Sequence, residues 1–262
     1  MNQSGSNDTA RGEDKKSGCH GSHWDCVVQS DEEILQAIDD ALQNSSAPDT
    51  VNKEGHTISA YIPPYHPVTK CCIVFDGQVY TVYPMAMDGI VHEVKVVGFD
   101  EWANGIEGQA IGTIGDAVLA FFDTRYYRNI RAYRREERYP FALTAFAYTL
   151  SPAKEQMVKG PDGALHSTIG IAGYRRFERG DIDDFVFQSP VKDVQRVSYS
   201  GRTLYRLILP LFRLQSDDGE GYHDLDIVVY AAEHVTGGYV PKPGDAVTGV
   251  LWLQGYLSDE QQ

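Results

Sequence analysis

Residues 117–124 read AVLAFFDT and lead, through a Tyr/Arg stretch, into YPFALTAFAYTLS at 139–151. Residues 226–233 read DIVVYAAE and lead, through a Gly/Pro loop, into DAVTGVLWLQGYLS at 245–258. With Ala117 set against Asp226, apolar strand, polar exit and aromatic closing strand coincide across a two-residue gap. Upstream, VKVVGF (Val94–Phe99) matches VQRVSY (Val194–Tyr199), each followed by a glycine-containing turn and another β-rich run. Recurrence of a whole unit outranks any local motif in deciding architecture.

The punctuation around these segments is that of a β protein. Asp76-Gly77 between KCCIVF and QVYTVYP is a two-residue hairpin signal, and Gly115-Asp116 and Ser200-Gly201 mark further turns. Helical character is predicted over Asp123–Arg138, between the third and fourth strands of the first unit. Three strands, a helix and two strands is the order of the OB-fold, a small Greek-key barrel. In the second unit the helix shrinks to HVTGGYVPKPG. The expected fold is therefore mostly β: two tandem OB-like barrels from an internal duplication, behind a mobile acidic N-terminal tail with one or two short helices. A single β-sandwich built from both units is the structural alternative. The predicted divisions are 1–55 for the tail and its helix, 56–152 for the first barrel, 153–183 for an insertion and 184–262 for the second barrel. The OB pattern implies no one function, because such folds host many.

The chain of 262 residues carries a formal charge of −14. Eleven carboxylates against four cations in residues 1–60 place half of that charge in the N-terminal segment. A body evolved to coat duplex nucleic acid shows a basic face, so nucleic-acid binding would need a local patch. No run approaches the ~18 apolar residues of a membrane span, and four cysteines without an export signal point to the cytoplasm. Adjacent Cys71 and Cys72 point to opposite faces of a strand, which predicts one buried and one half-exposed. Residues 1–30 read as a mobile tail. Ser30, with Glu33 three positions on, predicts a capped helix over 31–43 with Ile34, Leu35, Ile38 and Leu42 as its apolar stripe.

The strongest binding candidate is TRYYRNIRAYRREERY (Thr124–Tyr139). On a helical wheel Tyr126, Ile130 and Tyr133 share one arc and would cap the barrel. Arg125, Arg128, Arg131, Arg134, Arg135 and Arg138 would face outward. Guanidinium forks suit phosphates and carboxylates, and Tyr127 would add stacking. Arg175 and Arg176, in YRRFER, form a second cationic run. Cys19, His20, His23 and Cys26 gather four ligand types without the paired spacing of structural zinc sites. His223, Asp224 and Asp226 sit at the mouth of a predicted strand, with Leu225 and Ile227 inward, and would serve a metal-dependent hydrolase. There is no phosphate loop, nucleophile elbow or His-Glu-x-x-His helix, and the glycines of GIEGQAIGTIG fall between strands, unlike a dinucleotide fingerprint. The expected function is a non-enzymatic binding or adaptor protein that uses OB-like barrel faces and the Arg-rich helix to bind a macromolecular partner, a protein or an acidic ligand, with no cofactor and no metal. Single-stranded nucleic-acid binding and metal-dependent hydrolysis are the competing readings.

Overall fold

The computed structural model describes residues 20–159, 163–215 and 221–258. At its centre is a closed barrel of five strands. β5 (Ile90–Glu101), β6 (Gly108–Ile114) and β7 (Ala117–Asp123) form an antiparallel meander. β8 (Arg138–Pro152) pairs antiparallel with β5, and β16 (Ala246–Leu257) pairs antiparallel with β8. The ring shuts where β16 runs parallel to β7, with Gln254 opposite Phe122. Close approach at that seam needs Gly255, where an added Cβ would lie 2.5 Å from Cδ2 of Phe121.

β8 and β16 are each paired beyond this ring. β12 (Asp184–Pro190) lies antiparallel to β16. β13 (Asp193–Tyr199), β14 (Arg202–Gln215) and β15 (Tyr222–Ala232) form a second meander. β15 meets β8 in parallel, with Tyr230 opposite Phe146. A single 3₁₀ turn at Glu233–Thr236 links β15 towards β16. β9 (Met157–Lys159) and β10 (Leu165–Ser167) form a hairpin, and β11 (Gly173–Arg176) borders β12.

The N-terminal part supplies α1 (Gly21–Trp24), α2 (Asp31–Asn44) and an antiparallel sheet of β1 (Asp49–Lys53), β2 (His56–Tyr61), β3 (Val68–Phe75) and β4 (Gln78–Ala86). The β3–β4 hairpin turns at Asp76-Gly77 with φ of 46° and 84°, the left-handed pair a two-residue turn demands. Strand alternation divides the core in two. Phe121, Phe141, Leu143 and Val229 fill the barrel side. Their neighbours Phe122, Phe146, Tyr230 and Trp252 face outward and pack beneath α1 and the four-stranded sheet.

Several expectations change. Residues 20–28 are not a loose tail: Trp24, Cys26, Val27 and Val28 are buried, because that run plugs the space between the two layers. The residues before 20 lie outside the described part. Strands at 49–86 form their own sheet, so the barrel begins at Ile90 and takes its last strand from 246–257 rather than ending at 152. Cys71 and Cys72 are both buried, since β3 is central and covered on both faces. Ser30 does cap α2, its hydroxyl accepting from the Glu33 N–H at 3.4 Å. The buried seam of α2 is Ala37 and Ala41, and Leu35 faces outward at 64% exposure. The predicted helix of 123–138 reduces to α3 (Tyr126–Asn129); Tyr126 and Tyr133 are nonetheless buried. Among the described residues no helix is long and apolar enough to cross a membrane.

Candidate functional site: a groove floored by a histidine–carboxylate network

His20 and His23 stand one turn apart, so their rings share a face. Their Nδ1 atoms are 2.8 Å apart, and His20 Nε2 lies 2.6 Å from Oε1 of Glu107. Glu107 enters from the loop before β6. Its other oxygen accepts from Asn104 Nδ2 at 2.6 Å, while Asn104 Oδ1 accepts the Ile106 and Glu107 N–H groups. Thr81 donates to Oε1 of Glu107 at 3.3 Å. The carboxylate is thus held by three side chains from three segments.

Behind this pair, His23 stacks on Trp252, whose indole N–H donates to Asp183 Oδ2 at 3.0 Å. Gln109 also donates to Asp183 and accepts from the Trp102 indole. Burial, and then the adjacent Asp184 charge, push the Asp183 carboxyl up to about 8. This network ties the N-terminal segment to the outer face of the barrel. Both imidazoles are buried, and the nearby Thr81 hydroxyl bonds Glu107 rather than either ring.

His20 and Glu107 form part of the wall of a hollow of about 500 Å³, whose other walls are Ile34 and Ile38 of α2 and Val79 and Tyr80 of β4. Val79 and Tyr80 are 45% and 52% exposed. The helix beside them carries Asp31, Glu32, Glu33, Asp39 and Asp40 and no lysine or arginine. Glu33 is paired with Arg202 and Asp40 with Lys70. Asp31, Glu32 and Asp39 are exposed and have no partner among the described residues. An apolar groove thus lies against an acidic helix. The pairing of His20 with Glu107, 87 positions apart, left no trace in the sequence, although two histidines at i, i+3 before Trp-x-Cys-Val-Val signal a buried turn.

The arginines fall in several places. Arg128 pairs with Asp49 at 3.1 Å, and Arg125 lies over the Tyr256 ring. Tyr127 is buried and its hydroxyl donates to Asp49, so its ring is not offered for stacking. Arg134 donates to the carbonyls of Arg131 and Tyr133. Arg131, Arg135 and Arg138 are exposed without a side-chain partner among the described residues. Arg138 lines a hollow with His92, Arg213 and His223. Arg175, exposed with Arg176 on β11, lines another with Ile171 and Tyr174. Arg138 and Arg175 thus line different hollows.

At the hydrolase candidate, Leu225 and Ile227 are buried, as alternation requires. Asp224 is bracketed by Lys192 and Arg213, and Asp226 pairs with Lys192 at 2.7 Å. Although burial opposes it, those cations hold Asp224 below its ordinary pKa. Two cations matching two carboxylates leave no negative charge for a divalent ion, and His223 is exposed. Of the zinc candidates, Cys19 lies outside the described residues. Cys26 is kept a thiol by burial and then by Asp184. Among the described residues no three His, Cys, Asp or Glu side chains are placed around one ion. No protein-family model matches the chain, and no curated protein matches its sequence.

Proposed function

We propose that this chain is a non-enzymatic binding protein that docks a basic, apolar-faced protein segment along α2 and β4. The observation that carries the reading is the groove between Ile34, Ile38, Val79 and Tyr80, bordered by a helix with five carboxylates and no cation. Apolar side chains of the partner fill the groove, and its lysines or arginines meet Asp31, Glu32 and Asp39. Charge of this kind governs encounter and partner choice more than final affinity. The His20–Glu107 network fixes the floor so that the groove exists before the partner arrives, which lowers the ordering cost of binding.

The body that carries this groove is proposed to descend from a duplicated OB-like unit. The pairing supports it. β7 and β15 each end a three-stranded meander, and each runs parallel to a strand from the other half, Phe122 against Gln254 and Tyr230 against Phe146. β8 and β16 each pair with strands of both halves, and the ring begun by the first half is shut by a strand of the second, which makes the two inseparable.

A direct test titrates the protein with a synthetic peptide bearing leucines at helical spacing and lysines elsewhere, and with its glutamate counterpart. The lysine peptide binds with salt-sensitive affinity, and Ile38→Glu together with Val79→Glu abolishes it. Equal binding of both peptides, or indifference to the substitutions, removes the reading.

A further inference from the structure

On the far side of α2 from the groove, a second hollow of about 680 Å³ lies between that helix, the segment Pro64–His66, β3 and the end of β13. Lys70 of β3 is buried at its base. Its ammonium pairs with Asp40 and sits 5.5 Å from the ring centroids of both Tyr65 and Tyr199. Asp40 is engaged on both oxygens, Oδ1 accepting from Tyr65 at 2.9 Å and from Asn44 at 2.8 Å and Oδ2 in the ion pair with Lys70. The strand alone gives no reason to bury a lysine. The cost is met by the carboxylate and the two aromatic faces.

What is left over is a set of donors. Lys70 has three N–H groups and, among the described residues, only Asp40 as acceptor. The Tyr199 hydroxyl is buried and, among the described residues, has no partner that meets hydrogen-bond geometry, with Ser200 beside it. Buried donors left without an acceptor are destabilising, so they call for acceptor oxygens. Charge narrows the choice. Lys70 is neutralised by Asp40, and Glu33 at the rim by Arg202. A ligand ion would therefore arrive uncompensated. The remaining walls include Gln36, Ser198 and Ser200, and Tyr65 keeps 41% of its surface exposed.

We propose that this hollow binds an uncharged, oxygen-rich ligand of sugar or polyol chemistry, which places oxygens on the Tyr199 hydroxyl and the Lys70 ammonium. The exposed Tyr65 ring receives the ligand's C–H face. The site is independent of the peptide groove, since it uses the opposite side of α2 and different strands.

The test uses glucose, maltose and myo-inositol as probes, with acetate and phosphate as charged controls, read by amide shifts at Lys70 and at 198–200. At least one neutral probe gives a saturable shift. Tyr199→Phe weakens it about tenfold while leaving thermal stability unchanged or raised, because the deleted hydroxyl has no hydrogen-bond partner among the described residues. Tyr65→Ala, at the rim, weakens the same probe without disturbing the amides of the barrel. No saturable shift from any neutral probe, binding of the charged controls alone, or equal affinity in Tyr199→Phe overturns the proposal.

Discussion

His23 lies flat on Trp252, with ring centroids 3.9 Å apart and planes 3° from parallel. One residue belongs to the first described turn of the chain and the other to the strand that closes the barrel, so a single contact joins segments far apart in sequence. Trp252 is fully buried, and its indole also holds Asp183. Trp252→Ala is expected to cost about 3–5 kcal/mol, and His23→Ala less, about 1–3 kcal/mol. Urea unfolding of the two variants and their double mutant measures this; fully additive losses would show that the stacking couples nothing.

Stability should fall as pH rises from about 4 to 8. Asp183 is pushed up from 3.8 to about 8 and Asp123 to about 6, in both cases chiefly by burial. The folded protein then holds protons that the unfolded chain has lost, and its advantage is complete below the unfolded pKa and gone above the folded one. Asp183→Asn removes that group's share of the slope. Chemical denaturation at pH 5, 6, 7 and 8 checks the sign, and a wild-type curve that climbs across this window contradicts it.

Gly255→Ala is expected to destabilise by about 1–3 kcal/mol through overpacking. The new methyl would meet the Phe121 ring at 2.5 Å and the Leu143 side chain at 3.1 Å, at the parallel β7–β16 seam that shuts the barrel. Thermal unfolding measures the loss, and Gly77→Ala, in an open turn at φ 84°, separates crowding from backbone strain.

Cys26, Cys71 and Cys72 should resist alkylation in the folded protein. All three are buried, and burial chiefly drives the thiol of Cys71 up to about 12 and that of Cys72 to about 11, which removes the reactive thiolate. Brief treatment with iodoacetamide followed by peptide mapping should find these sites unmodified until denaturant is added. Rapid labelling of Cys72 without denaturant would mean that the four-stranded sheet opens.

The legible part of this fold was local. Asp76-Gly77 and Ser200-Gly201 announced their turns because only certain residues tolerate left-handed backbone, and both pairs have positive φ. The Ser30 cap was readable because it acts within three residues. The arginine-rich stretch misled because its helical period competes with Tyr133 and Tyr139, whose rings pack on Phe99 and Phe141 and draw the chain out of the helix. The groove and the second hollow were not legible, since Glu107 meets His20, and Tyr199 meets Lys70, only after distant strands have packed.

The sequence by itself determined a β-rich chain with defined turns, a capped acidic helix and the alternation that sends Phe121 and Phe122 to opposite faces. These follow from backbone sterics and from a side-chain period of two. Only the tertiary structure decided that β16 would close the barrel begun by β5, that residues 20–28 would be core, and which polar groups would be left without partners. Those outcomes depend on contacts between segments distant in sequence, His20 with Glu107 and Lys70 with Tyr199 among them, and no local preference encodes which buried group will face which.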